Sequence, residues 1–577
     1  MASVVRDRRM LGKMARAVRA AADKAESPPG SRPWSQPTQG RHMSESADRR
    51  PVLLALFAAL LLLAPCACMR LGPDFAKPDV SLPKGWTEAE VNSTSPESPP
   101  PGAWWSLLGD PALSALVAKA VEGNIPLKTA GLRVLEARAQ LGIAVGNLYP
   151  QTQQATGNYT ANQSSKEAPS APQPSQQKGV QWAYWQNNFG LSAAWELDFW
   201  GKFRRSVESS QASLQGSVAD YDNALVILLA DTAQTYVSIR TLEERLRIAD
   251  HNLELQREGL RIAEARFRLG QTSERDVAQA KTLLEATTAT IPALRDQLAQ
   301  AEHALAILLG LAPGDMTAYL GGTSAIPDVP AAIAVGVPAD LLRRRPDLRK
   351  AEMTAWSACA NIGVAKADLL PSFSLSGSIG YLSSDMGAFR LADIFLPKTV
   401  TAQGGPSFVW NVLNYGRLTN AVRVADARFQ ESLEDYAQAA LTAVGQAEDA
   451  LSGFLRGREK VAALAQAATS AGRSAQLAFI QYREGQTDFT TVIVAEQNQL
   501  SQEDDLAQAR GGVATSFVNL YRALGGGWEI REGKPFVPAD IRETMAKRTW
   551  WGGELTEEPK KIESKDPGGP GLGLPDY

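Results

Sequence analysis

This chain has little of what covalent chemistry needs. It contains three cysteines and three histidines among 577 residues. Cys66, Cys68 and Cys359 are too few for a disulfide framework or a thiolate metal cage. His42, His251 and His303 are scattered, and neither His251 nor His303 has a second candidate ligand nearby. Both read as helix-face residues in charge-rich runs. Metal and acid–base centres usually draw on histidine, so an enzyme is disfavoured. No glycine-rich phosphate loop opens a helix, and no His-x-x-x-His pair or nucleophile elbow occurs. Gly525-Gly526-Gly527 follows a helical run and reads as a terminator. No cofactor and no metal is called for. Charge of one sign is lacking too: 59 basic residues face 62 acidic ones, a formal net charge of −3, so no basic field invites nucleic acid.

What the chain does have is internal repetition. A shift of 215 residues carries Trp195 onto Trp410, Gly201 onto Gly416, and Leu309-Gly310 onto Leu524-Gly525. The same shift carries Arg268-Leu269-Gly270-Gln271-Thr272 onto Arg483-Glu484-Gly485-Gln486-Thr487. Gly142-Ile143-Ala144 with Tyr149-Pro150 matches Gly363-Val364-Ala365 with Leu370-Pro371 at a shift of 221, so one connection differs by six residues. Solenoid repeats run about 20 to 50 residues, so this is a duplicated half-protein. Each half reads helix, strand, strand, long helix, helix.

Arg49-Arg50 precede an apolar run from Val52 to Ala64, which ends at Pro65-Cys66-Ala67-Cys68. Its about 13 residues fall short of the roughly 20 a spanning helix requires, and the pattern is that of a secretory signal. Met43 starts a signal of ordinary length, which makes residues 1–42 an upstream extension or mis-start and residues 43–67 the signal peptide. A cysteine just after the apolar core suggests lipid attachment, at Cys68 (after the small Ala67) or at Cys66. The plainer reading is a signal peptide with two incidental cysteines. A single acyl chain holds a membrane only marginally, so the fold should add its own attachment.

Residues 188–199 alternate. Phe189, Leu191, Ala193, Trp195, Leu197 and Phe199 share one face; Asn188, Gly190, Ser192, Ala194, Glu196 and Asp198 share the other. Residues 372–381 repeat this, with Phe373, Leu375, Gly377, Ile379 and Tyr381 against serines and Gly380. Four strands are expected, near 151–162, 183–199, 372–384 and 405–414, with a long polar linker from Gln163 to Gly179 between the first two. A soluble sandwich also alternates, but four strands are few for one. A membrane barrel needs about eight strands, and an open edge in hydrocarbon leaves backbone groups unpaired. Membrane strands here would therefore require several chains to share one barrel.

Two long helices are expected at Phe203–Leu269 and Leu418–Glu484. Each has about 67 residues, or roughly 100 Å. Leu225, Leu229, Thr232, Tyr236, Ile239 and Leu246 form a coiled-coil-like seam in the first. Neither holds the about 18 consecutive apolar residues of a membrane span. Gly270 and Gly485 are placed to stop them. Return helices follow; Pro292 should kink the first, while Ala507 stands at its counterpart.

Three strings are distinctive. They are Gly72-Pro73-Asp74-Phe75-Ala76-Lys77-Pro78; Trp104-Trp105 followed by Asp110-Pro111-Ala112-Leu113; and Pro338-Ala339-Asp340-Leu341-Leu342-Arg343-Arg344-Arg345-Pro346-Asp347-Leu348. In this order, over about residues 66–530, the chain resembles the TolC/OprM-like outer-membrane efflux factors, in particular their NodT-type lipoprotein branch. The resemblance implies a mainly α fold with a membrane β-barrel. A homotrimer would share twelve strands in the outer membrane and twelve helices in a periplasmic tunnel. The domain order would be an N-terminal extended segment at 68–101, a first repeat at 102–310 and a connecting equatorial segment at 311–345. A second repeat at 346–527 and an equatorial end with a disordered tail at 528–577 would follow. The resemblance further implies that the turns at Arg268, Gly270, Gln271 and Thr272 and at Arg483, Gly485, Gln486 and Thr487 meet a periplasmic membrane-fusion adaptor, itself joined to an inner-membrane RND-type pump. It puts a tyrosine, here Tyr482, at the periplasmic gate. The family's acidic gate positions are Thr491 and Val494 in this chain, so the gate is expected to be polar and apolar rather than a carboxylate ring. Asp488 and Glu496 lie close by at other spacings.

The expected function is a passive outer-membrane duct for drugs or other small molecules. A duct for type I protein secretion keeps the fold and changes the cargo. A periplasmic coiled-coil adaptor is the reading from a different class, and it predicts no membrane strands.

Overall fold

A computed structural model of the chain describes residues 70–87, 94–95, 102–165, 167, 181–321, 325–330, 333–334, 344–386, 390–553 and 555. The signal region, Cys66 and Cys68, most of the linker from Gln163 to Gly179, residues 338–343 of the third string and the end of the chain beyond residue 555 lie outside the described residues.

The duplication governs the architecture. After α1 (Pro111–Gly123), the first half runs α2 (Ile125–Gly146), β1 (Thr152–Gln163), β2 (Ala183–Leu197), α3 (Lys202–Arg268) and α4 (Glu274–Leu308). The second runs α5 (Pro346–Ala367), β3 (Ser372–Ser384), β4 (Val400–Val409), α6 (Arg417–Arg483) and α7 (Phe489–Ala523), with α8 (Ala539–Arg548) after it. The two long helices have 67 residues each and the two return helices 35 each. At 1.5 Å per residue the long helices extend about 100 Å.

Matching residues do matching work in the two halves. Trp195 Nε1 donates to the Leu148 carbonyl at 3.1 Å, and Trp410 Nε1 to the Leu369 carbonyl at 3.1 Å. Each indole thus locks the end of its strand to the end of the preceding helix. Gly270 (φ 69°) and Gly485 (φ 79°) stop the long helices in the left-handed region that glycine adopts freely. There the Gln271 N–H bonds the Arg266 carbonyl at 2.9 Å and the Gln486 N–H bonds the Gln481 carbonyl at 2.8 Å, closing the six-residue ring of a Schellman cap.

Strands β1, β2, β3 and β4 form one antiparallel sheet in that order. The fourth strand lies five residues earlier than the expected 405–414. Its ladder runs from Tyr381↔Val400 to Ser372↔Val409, so the hairpin register is set from the far end of β3. Residues 410–416 instead make the entry to α6, where Tyr415 (φ 49°) and Gly416 (φ 82°) turn the chain. Pro406 sits in β4, an edge strand, where a missing N–H is tolerated.

The main core lies where the halves meet. Trp104 stacks on Tyr521 at 5.7 Å and meets Phe517 edge-on at 6.4 Å. The predicted seam of α3 is there: Leu225, Leu229, Thr232, Tyr236 and Ile239 are buried, and Leu246 is half-buried. Trp86, Ile333 and Phe536 bring the N-terminal, central and C-terminal segments into the same cluster. Buried charges cross-link the halves: Asp222 accepts from Arg349 of α5 at 2.8 Å and from Arg531 at 2.6 Å. Helix α4 runs as one element through Pro292. His251 and His303 are exposed on their helices.

Candidate functional site

The sheet sorts its side chains by register. Leu191↔Ile379, Phe189↔Tyr381 and Leu197↔Phe373 pair on one face, and Phe373↔Phe408 and Tyr381↔Val400 extend that face across β4. Ser192↔Ser378, Ala194↔Ser376, Ser378↔Gln403 and Ser374↔Ser407 pair on the other. Phe395 packs on Phe189 and Tyr381 at one end of this face, but Leu191, Ile379 and Phe408 stay exposed, so most of the face is uncovered among the described residues. Hydrophobic surface that faces outward along 10 to 15 residues of strand fits a bilayer. Both β1 and β4 are edges among the described residues. Hydrocarbon does not tolerate such edges, so in a membrane they must pair with other copies. This sheet removes the ground for the coiled-coil adaptor reading. Among the described residues no helix is long and apolar enough to cross a membrane.

About 100 Å along the long helices lie the two turns. At the second, α6 gives way to α7 through Arg483, Glu484, Gly485, Gln486 and Thr487. Tyr482 is only 2% exposed. Its ring packs on Phe489 at 5.0 Å, and the Arg266 guanidinium lies over it at 4.7 Å. Arg266 also donates to the Tyr482 carbonyl. Burial raises the Tyr482 pKa, against the opposing pull of Thr272 and Arg266. Asp488 caps α7, accepting from the Thr491 N–H at 3.1 Å and from the Thr491 hydroxyl at 2.8 Å. These two bonds hold its carboxyl below its usual pKa. Thr487 donates to the Thr491 hydroxyl at 3.1 Å. Val494, three residues on, is exposed. Thr491 is thus tied into the helix cap, while Val494 presents an apolar surface.

The first turn, through Arg268, Gly270, Gln271 and Thr272, is built differently. Phe267 stands where the second turn has Tyr482, yet it is 44% exposed, and Leu269 is 72% exposed. Asp276 is buried and draws in the hydroxyls of Thr272 and Ser273, with Arg275 beside it at 3.4 Å. The first turn offers an apolar and basic surface; the second tucks its aromatic side chains inward against α3.

Sequence reasoning identified the turns and Tyr482 but missed Arg266, Phe489 and Asp276. Phe489 was findable as an aromatic residue in the first turn of a helix otherwise opened by polar residues. Arg266 was not, because its partner lies 216 residues away. Among the described residues no group of three or more His, Cys, Asp or Glu is placed to hold a metal.

The sequence profile described as "outer membrane efflux protein" matches residues 116–311 and 337–526. Nodulation protein T of Rhizobium leguminosarum bv. trifolii is 30% identical over 468 residues, covering 81% of this chain and 96% of that protein. The pyoverdine export outer membrane protein OpmQ of Pseudomonas putida is 31% identical over 463 residues, covering 78% and 93%. Among solved structures, the outer-membrane channel OprN superposes with a TM-score of 0.72 at 32% identity, over 80% of this chain and 99% of that one.

Proposed function

The chain belongs to the outer membrane efflux protein family and is an outer-membrane channel component of an efflux system; from that premise we propose how its parts divide the work. Three copies close the four-stranded sheets into one twelve-stranded barrel. Their long helices line a tunnel across the periplasm. Drugs or other small molecules pass through it passively, driven by an inner-membrane RND-type pump. A periplasmic membrane-fusion adaptor docks on the turns at 268–272 and 483–487, with the exposed Phe267 and Leu269 as its apolar contact. Tyr482, Thr491 and Val494 form a gate without a carboxylate ring. A lipid on Cys68, or on Cys66, adds a second hold on the outer membrane.

One observation carries this reading. Among the described residues, a sheet with a largely uncovered apolar face and two open edges is joined to helices of about 100 Å that hold no membrane span. The sheet needs lipid and partners; the helices need water. Native mass spectrometry of the protein released from outer-membrane vesicles in detergent tests the assembly. A mass of three chains is expected. A stable monomer with intact secondary structure would overturn it.

A further inference from the structure

Each helical hairpin is held internally by small and apolar residues. Ala249, Leu253, Ile291 and Leu294 join α3 to α4. Near the turns, Ala263, Ala280, Ala478 and Val492 share one apolar cluster that spans both hairpins. Farther from the tips, the seam between the hairpins, where α3 runs antiparallel to α7, is polar instead. Arg245 forks onto Asp504 at 2.7 and 3.2 Å. Asn252 donates to Glu503 at 3.0 Å. One turn nearer the tip, Gln256 is 2% exposed, and neither end of its amide has a hydrogen-bond partner.

Beyond Gln256 comes Gly259, where a Cβ would stand 3.9 Å from Glu496 Oε1 of α7. Glu496 is 5% exposed and lines a cavity of about 220 Å³ between α3, α6 and α7. The polar groups around that cavity are engaged elsewhere. Glu258 of α3 is paired with Arg261 at 2.8 Å. On α6, the side-chain Oε1 of Gln476 accepts from Arg473 at 2.7 Å. On α7, the Gln499 amide donates to Glu503 at 2.8 Å. An ionised carboxylate is costly to bury, and burial alone acts on this one, so packing favours its protonated form.

We propose that Glu496 is a proton-binding site that latches the two hairpins together: protonated, it lets α3 and α7 close over the cavity; ionised, it draws water in and parts them. The same burial lifts the Glu496 pKa to about 7. The sign follows. In the parted seam the group is hydrated and titrates near the ordinary 4.5. The closed seam therefore binds the proton more tightly. Its advantage is greatest in acid and is lost as pH rises through the closed-state value. The ratio of closed to parted seam should fall roughly tenfold between pH 6 and pH 8. The latch lies within one protomer, so it stands or falls separately from the trimeric duct.

Hydrogen exchange of the full chain in detergent tests the latch, comparing wild type with Glu496→Gln at each pH so that intrinsic rates cancel. At pH 8, amides of residues 250–263 in Glu496→Gln should be roughly 300-fold more protected than in wild type, and at pH 6 roughly 30-fold, so the gap should widen about tenfold from pH 6 to pH 8. Glu258→Gln, at the same cavity but already ion-paired, should behave like wild type at both. An equal difference at both pH values, or none at either, would overturn the latch. Should Glu496→Gln fail to fold, infrared spectroscopy of the wild type decides. A protonated-carboxyl band present at pH 6 and gone at pH 8 supports it, and absence of that band at pH 6 refutes it.

Discussion

The two tips descend from one ancestral turn and are now opposites. Both end a 67-residue helix in a glycine cap and begin a 35-residue one. At the helix start, however, Ser273 and Asp276 of the first correspond to Asp488 and Thr491 of the second. Carboxylate and hydroxyl have exchanged places while each helix N-terminus keeps its negative charge, which the helix dipole favours. The same divergence puts Phe267 outside and Tyr482 inside, and replaces the exposed Glu274 with the buried Phe489. The exposed Lys281 likewise corresponds to the buried Glu496. The cause is position. Helix α7 is flanked by α6 and α3, so its first turns face protein within the chain; α4 lies at the edge of the protomer, and its matching turns are less covered there. Duplicated sequence retains what the fold demands of both copies and drifts where their surroundings differ.

The contrast can be broken most severely by Tyr482→Ala. It removes a buried ring and strands Arg266, so it should cost about 3–5 kcal/mol of local stability at the second tip, read as lost exchange protection over residues 478–493. Phe267→Ala at the matching site should stay within about 0.5 kcal/mol. Next in size, Phe267→Ala with Leu269→Ala should leave the fold intact but weaken adaptor binding by about 2 kcal/mol in a titration with purified adaptor. The pair Glu484→Ala and Arg483→Ala should weaken it less.

A smaller effect sharpens the exchanged cap. Asp488→Ala should lower exchange protection in the first turn of α7. Asp488→Ser with Thr491→Asp, which rebuilds the first tip's arrangement, should recover most of it. The smallest effect is in pH. Thr491 holds the Asp488 carboxyl below its ordinary value of 3.8. The folded pKa is the depressed one, so the cap's contribution is present above 3.8 and fades as pH falls through the lower folded value. Wild type and Asp488→Asn should differ in tip protection at neutral pH and converge in strong acid.

Much of this was legible in the sequence. The duplication, the glycine stops, the α3 seam and three of the four strands needed only local pattern. The fourth strand was misplaced because Trp410 and its neighbours continue an apolar alternation past the end of the ladder; hairpin register, which no single strand encodes, decided where it began. The buried polar seam was hidden for a similar reason. Nothing local in the sequence marks Asn252, Gln256, Glu496 and Gln499 for burial, and only the pairing of α3 with α7 puts them inside. Thr491 and Val494 were read together as gate positions. Both are exposed, Thr491 bonded into the helix cap and Val494 bare.

The central claim is that one end of this molecule lies outside the cell and the other in the periplasm. A single cysteine at Lys398, in the loop between β3 and β4, or at Gln271, on the first tip, tests it directly when each replaces the native residue in a Cys359→Ser background. Intact cells would be treated with a membrane-impermeant maleimide. The account predicts that Lys398→Cys is labelled in intact cells and Gln271→Cys only after the outer membrane is permeabilised. Labelling of both, or of neither, before permeabilisation would contradict it.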